Sequence, residues 1–181
     1  MMPTRDGSHL CLQCGLCCNG TLFETISILP DERTPREVLG TPVDITAIGS
    51  IREMPLPCPA LSGATCSIYG DRPSTCGRYK CGVLHAYEAG AALRDCLSII
   101  DRVRSLAGAL EVAMDLATGT YTRAKGHEYI RAHDPARNPS EHAEFLAAFH
   151  GIDELSVEHF QYNPYPVETE AAAAGATPVA P

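Results

Sequence analysis

Apolar positions are irregular over the first 90 residues of the chain and regular after them. Across residues 92–117, Leu93, Cys96, Leu97, Ile100, Val103, Ala107, Leu110 and Met114 recur at steps of three and four, the period of one helix face. Arg94, Asp95, Asp101, Arg102, Glu111 and Asp115 fall mostly on other faces, so the spacing predicts a long amphipathic helix that stops near Gly119. Residues 83–88 predict a short helix ending near Gly90. A last helix is expected from Asn138-Pro139-Ser140-Glu141: Asn138 suits a cap, Pro139 the first turn and Glu141 a variant capping box. Phe145, Leu146 and Phe149 supply its apolar face, and Gly151 its end.

The front of the chain gives shorter signals. Residues 21–28 are β-branched and partly alternating, which predicts a strand closed by Pro30. Residues 31–57 hold Pro35, Pro42, Pro55 and Pro57 and predict a short helix near 32–39 followed by loop. Residues 58–61 and 65–69 flank Ser62-Gly63-Ala64, the pattern of a small hairpin with a glycine turn. Pro73 suits the start of a short helix carrying Cys76. Residues 1–8 are expected to be a loose leader. Residues 166–181, rich in Ala and Pro, are expected to be a disordered tail. The expected fold is α+β: a small, loop-rich, metal-organised cysteine domain over 9–90 with a short hairpin, packed against a helical segment over 91–165 made of the long helix and a C-terminal helix.

Composition narrows the function classes. Fourteen Lys and Arg against 22 Asp and Glu give a net charge of −8, with no basic block, which argues against nucleic acid as a partner. No apolar run approaches the ~18 residues of a membrane span. The first nine residues lack the apolar core of a signal peptide. The expectation is therefore a cytoplasmic protein with no membrane contact, and a protein or peptide as partner.

That compartment changes the meaning of nine cysteines among 181 residues, since a reducing cytosol favours metal or redox chemistry over disulfides. Cys11, Cys14, Cys17 and Cys18 lie within eight residues; Cys58, Cys66, Cys76 and Cys81 lie between 58 and 81. Thiolates are soft ligands suited to zinc and iron–sulfur clusters. Cys11, Cys14 and Cys17 reproduce the first three positions of a ferredoxin-type run, and the next Cys-Pro pair is Cys58-Pro59. Neighbouring residues in extended backbone point opposite ways, so Cys17 and Cys18 leave three arrangements open: an unusual backbone at one centre, service to two centres, or one thiol outside any centre. Cys96 sits on the apolar stripe of the long helix and is expected to be a core residue.

The order Cys11-x2-Cys14-Gly15-x-Cys17-Cys18, Cys58-Pro59-x-Leu61, Cys66-x-Ile68-Tyr69, Arg72-Pro73-x2-Cys76 and Cys81 resembles the YkgJ family of cysteine-cluster proteins over residues 9–90. The resemblance implies a zinc- or iron-chelating domain, often labelled iron–sulfur, whose cysteine set is Cys11, Cys14, Cys17, Cys18, Cys58, Cys66, Cys76 and Cys81. Flagellin lysine N-methylases share the pattern within longer chains, but no glycine-rich S-adenosylmethionine loop occurs here.

The remaining candidates carry less. His9 stands two residues before Cys11 and is a candidate ligand or hydrogen-bond donor to one. His85, His127, His133, His142, His150 and His159 lack metal-site spacing. Arg72, Arg78 and Lys80 surround Cys76 and Cys81 and are candidates to balance thiolate charge. Walker, Gly-x-Ser-x-Gly and dinucleotide patterns do not occur, and no general base or nucleophile is nameable, so enzymatic activity stays open. The expectation is a metal-binding cysteine-cluster protein, with an iron–sulfur cluster in an electron-transfer or redox role, or with zinc. The alternatives are a zinc-stabilised interaction scaffold and a domain serving protein or peptide modification.

Overall fold

A computed structural model describes residues 7–41, 46–48 and 51–161. The fold is α+β. The front half runs α1 (Ser8–Cys14), β1 (Thr25–Ile28), α2 (Pro35–Leu39), β2 (Thr46–Ile48), β3 (Ile51–Pro55), β4 (Leu61–Ser62), β5 (Thr65–Cys66), α3 (Ser74–Arg78) and α4 (Gly82–Glu88). The rear half is α5 (Leu93–Ala113), α6 (Arg123–His133) and α7 (Ala143–Leu155), which continues into a π-helical turn, Ser156–Phe160. The expected tail at 166–181 and most of the leader at 1–8 lie outside the described residues.

Several elements fall where the sequence puts them. α2 begins with a complete capping box: the Glu37 amide donates to Thr34 Oγ1 at 3.1 Å, and the Thr34 amide donates to the Glu37 carboxylate at 2.6 Å. The β4–β5 hairpin pairs Leu61 with Cys66 and Ser62 with Thr65, and Gly63 takes φ +61° in its turn. α5 buries Cys96, Ile100, Val103 and Leu110 on the expected stripe. Glu111 departs from its expected polar face. It is buried, and its carboxylate accepts the Tyr121 amide at 2.8 Å, tying the end of α5 to the next segment.

Other expectations are corrected. Within the domain expected to be loop-rich, the first cysteine stretch is helical through Cys14. The first strand is four residues rather than eight. The proline-rich stretch contributes strands, giving a three-stranded antiparallel sheet in the order β1-β3-β2 with Ile26 opposite Met54. The long helix stops at Ala113, where Asp115 turns the chain at φ +53°, before Gly119 is reached. α7 starts at Ala143: the Asn138 carbonyl accepts the Glu141 amide at 3.1 Å in a turn, so the cap signature serves a turn instead. Gly151 lies inside α7, not at its end. A Cβ there would stand 3.1 Å from Leu106 Cδ1, so this glycine permits close packing of α7 on α5. α6 was not expected at all.

Two cores meet along α5. The first joins Leu10, Leu16 and Leu22 to Val83, Leu84, Ile100, Val103, Leu155 and Phe160. The second gathers Leu110, Tyr121, Phe145, Ala148, Phe149 and Ile152. The cysteines lie on the side of the first core.

Candidate metal centre

The local geometry begins at α1. Cys11 and Cys14 are three residues apart on this helix and so share a face. Gly15 ends the helix at φ +65°, and a Cβ on it would stand 3.1 Å from the Ala64 Cα. That close approach sets the first cysteine loop directly against the β4–β5 turn. The loop then folds on itself, with the Cys18 and Asn19 amides both donating to the Gly15 carbonyl at 2.9 Å. The Cys58 amide donates to the Cys18 carbonyl at 2.7 Å, joining the two cysteine stretches.

The second stretch is held from outside. Arg52 on β3 donates to the Leu29 and Glu32 carbonyls. The Glu32 carboxylate accepts the Ser74 amide at 2.9 Å, which fixes the start of α3 and hence Cys76. The same Ser74 contacts hold the Glu32 carboxyl below its ordinary range. Cys81 precedes α4 directly. Gly82 admits the C-terminal turn: a Cβ there would meet the His159 carbonyl oxygen at 2.7 Å.

All eight cysteines of the two stretches line one cavity of 130 Å³, walled by apolar side chains that include Leu16, Ile68, Leu84 and Phe160. No disulfide joins any of the nine. Cys96 is apart from the cavity: it is 2% exposed, packs in the first core, and its thiol lies 3.8 Å from the Val83 carbonyl. Among the described residues, no group of three or more Cys, His, Asp or Glu side chains is placed to hold a bare ion as it stands. The thiols ring a chamber rather than converge on a point.

Burial dominates their protonation. It pushes Cys14 and Cys18 up to about 12 and Cys76 to about 11, and raises Cys17, Cys58 and Cys81 as well. Neighbouring thiols add to the rise, because thiolates side by side repel. Three guanidinium groups oppose it: Arg104 at Cys14, Arg36 at Cys58 and Arg72 at Cys76. Only Arg72 was among the expected balancing charges. Arg78 instead bonds Ser74 Oγ, and Lys80 pairs with Glu88 at 2.8 Å. Arg104 was missed because it sits on α5, over 80 residues downstream; its guanidinium donates to the Gln13 and Cys14 carbonyls at the end of α1.

Tyr79 also lines the cavity. Its hydroxyl donates to the Phe160 carbonyl, its ring meets Phe23 edge-on at 5.6 Å, and burial raises its pKa. Among the described residues no histidine lines the cavity. His127 pairs with Glu24 and His142 with the Tyr129 hydroxyl, both elsewhere, while the His9 side chain lies outside the described residues.

Residues 10–96 match the CxxCxxCC family, described as "Putative zinc- or iron-chelating domain". This segment, just under half of the chain, is similar to the CxxCxxCC family. It is the same family that the order of the cysteines resembles. The matched span covers all eight cavity cysteines and ends at Cys96. No curated protein and no solved structure matches the chain. A CxxCxxCC domain is a metal-binding domain for zinc or iron, and a cavity ringed by soft thiol donors fits either. No helix among the described residues is long and apolar enough to cross a membrane.

Proposed function

We propose that Cys11, Cys14, Cys17, Cys18, Cys58, Cys66, Cys76 and Cys81 bind iron as iron–sulfur clusters, in a cytoplasmic protein with an electron-transfer or redox role. The observation that carries this reading is the chamber. Four thiolates around zinc close on one point at about 2.3 Å and leave no space between them. A cluster brings its own iron and sulfide and needs room among its cysteines, and here all eight cysteines are among the residues lining a cavity of 130 Å³. Bound there, such a cluster supplies one-electron transfer at a potential tuned by charge, hydrogen bonds and solvent access.

The chain's own residues supply that tuning. Leu16, Ile68, Leu84 and Phe160 would shield a bound cluster from water. Arg36, Arg72 and Arg104 offset the negative charge of the thiolates. Among the described residues the cavity is lined by no histidine and no carboxylate, so thiols are its main donors. The partner in this reading is a protein or peptide, in keeping with a sequence that lacks a basic stripe for nucleic acid.

Anaerobic purification with iron, acid-labile sulfide and zinc analysis tests the reading. The expected result is a brown protein with equimolar iron and sulfide. A colourless protein loaded stoichiometrically with zinc would instead make the domain a zinc-organised fold.

A further inference from the structure

We propose that the eight cysteines form two separate four-thiolate centres, with Cys11, Cys14, Cys17 and Cys81 at one and Cys18, Cys58, Cys66 and Cys76 at the other. This deepens the metal-binding reading above and rests on it.

The division starts at Cys17 and Cys18. Cys17 packs against the first core together with Cys14 and Cys81, beside Leu10, Leu16, Val83 and Leu84. Cys18 does not join that packing. The Cys58 amide donates to its carbonyl at 2.7 Å, which anchors the Cys18 backbone on the second stretch, and the thiols of Cys58, Cys76 and Cys66 are its main neighbours. Adjacent residues thus serve opposite sides of the Cys17–Cys18 peptide, which becomes the wall between centres.

The remaining thiols follow from their neighbours. The thiols nearest in effect to Cys17 are Cys14 and Cys81, ahead of its chain neighbour Cys18 and of Cys11; for Cys18 they are Cys58, Cys76 and Cys66, ahead of Cys11. Cys76 has Cys58 and Cys66 as its thiol neighbours, and Cys58 has Cys66. Cys11 acts on Cys14, Cys17 and Cys18 alike, and its place with Cys14 follows from their shared face on α1. Each set has four thiols, the number that a tetrahedral zinc site or a four-iron cluster takes.

The pattern is an exchange. Three ligands of the first centre come from residues 11–17 and the fourth, Cys81, from the second stretch. Three ligands of the second centre come from residues 58–76 and the fourth, Cys18, from the first stretch. Neither stretch can complete a centre alone, so loading either centre ties both stretches together. Each centre also has a guanidinium of its own: Arg104 at the first, Arg36 and Arg72 at the second.

Native mass spectrometry of the anaerobically loaded full chain counts the centres without any variant. Two equal mass increments are expected. A single increment overturns the division while leaving metal binding intact, and no stoichiometric increment overturns the metal-binding reading itself. Paired substitutions then assign the ligands. Cys14→Ser with Cys17→Ser, and separately Cys58→Ser with Cys66→Ser, should each remove half of the bound metal and keep one increment. The cross pair Cys14→Ser with Cys58→Ser should damage both centres and leave less than half. Half-loading by the cross pair, or complete loss from either within-set pair while circular dichroism still shows the helices, overturns the assignment.

Discussion

The stretch from Ser8 to Cys81 and the stretch from Leu93 to Phe160 are of similar length but are held together by different means. The rear stretch buries Val103, Leu110, Phe145, Ile152 and Phe160 to 1% exposure or less, mostly along α5 and α7. Leu110, Phe145 and Ile152 close on one another as in an ordinary helical core, while Val103 and Phe160 pack against Leu10, Leu16 and Leu22 of the front stretch. The front stretch has helices of seven residues or fewer and strands of five or fewer, none of which is stable alone. What its elements share is the thiol-lined cavity. The rear region is specified by apolar periodicity, whereas the front combines scattered buried residues such as Leu16, Ile28 and Met54 with the points at which its donors meet.

Removing metal should separate the two regions most sharply. Binding free energy at a structural thiolate site is folding free energy, on the order of 10 kcal/mol at neutral pH for zinc-finger peptides. Chelation, or Cys14→Ser, should expose residues 9–81 to proteolysis while α5 and α7 persist. Limited proteolysis read by mass spectrometry checks this, and unchanged protease resistance in metal-free protein would contradict it.

Phe145→Ala tests the other region. Phe145 is 1% exposed and stacks on Phe149 with ring centroids 5.5 Å apart. Its loss should cost about 3–5 kcal/mol of stability with metal content unchanged. Urea unfolding alongside metal analysis measures both, and metal loss at native conditions would show that the regions are not separable in this way.

Alkaline pH should act on the cysteine region first, since Tyr121, raised by burial in the second core, starts from the higher ordinary value of a phenol. Burial raises Cys14 and Cys18 from 9.0 to about 12, so the metal-free fold holds these protons more tightly than the unfolded chain does. That contribution is fully present below pH 9.0 and is lost as pH rises through about 12. The loaded protein should have the opposite sensitivity, releasing metal as pH falls, because protons compete for thiolates. Thermal unfolding of both forms across pH checks the two signs.

The smallest expected effect is that of Cys96→Ala. This thiol is buried in the first core and does not line the cavity, so its loss should cost about 1–2 kcal/mol with full metal stoichiometry retained. Metal analysis decides it, since a loss of metal equal to that of Cys76→Ala would move Cys96 into the site.

Much of the rear region and the identity of the thiol set were legible in the chain. The stripe from Leu93 to Leu110 marks α5 because a helix that buries one face must repeat its apolar residues every three to four positions. α6 was not legible. Its segment, Arg123–His133, is polar, with Tyr129 and Ile130 as its main apolar positions. It is held by Thr122, which caps Lys125 at 3.3 Å, and by Gly126, where a Cβ would come within 2.7 Å of the Phe149 ring. Neither contact leaves a periodic signal. The sheet was hidden similarly. β1 and β3 pair residues some 30 positions apart, and prolines around β3 suggest loop when only local preference is weighed.

The sequence by itself determined which atoms are available for chemistry. Two clusters of soft donors, their spacing and the Arg72-Pro73 pair carry the likeness to the CxxCxxCC family. Tertiary structure decided how those atoms are grouped. Gly15 against Ala64 brings the stretches together, and the Cys58 amide on the Cys18 carbonyl aligns them. Arg104 reaches the end of α1 from a helix far along the chain, and Phe160 closes the cavity from the last described turn. The physical reason is range. Ligand type and local spacing are properties of a few consecutive residues, whereas a shared chamber depends on close approaches between segments whose separation along the chain gives no sign of their contact.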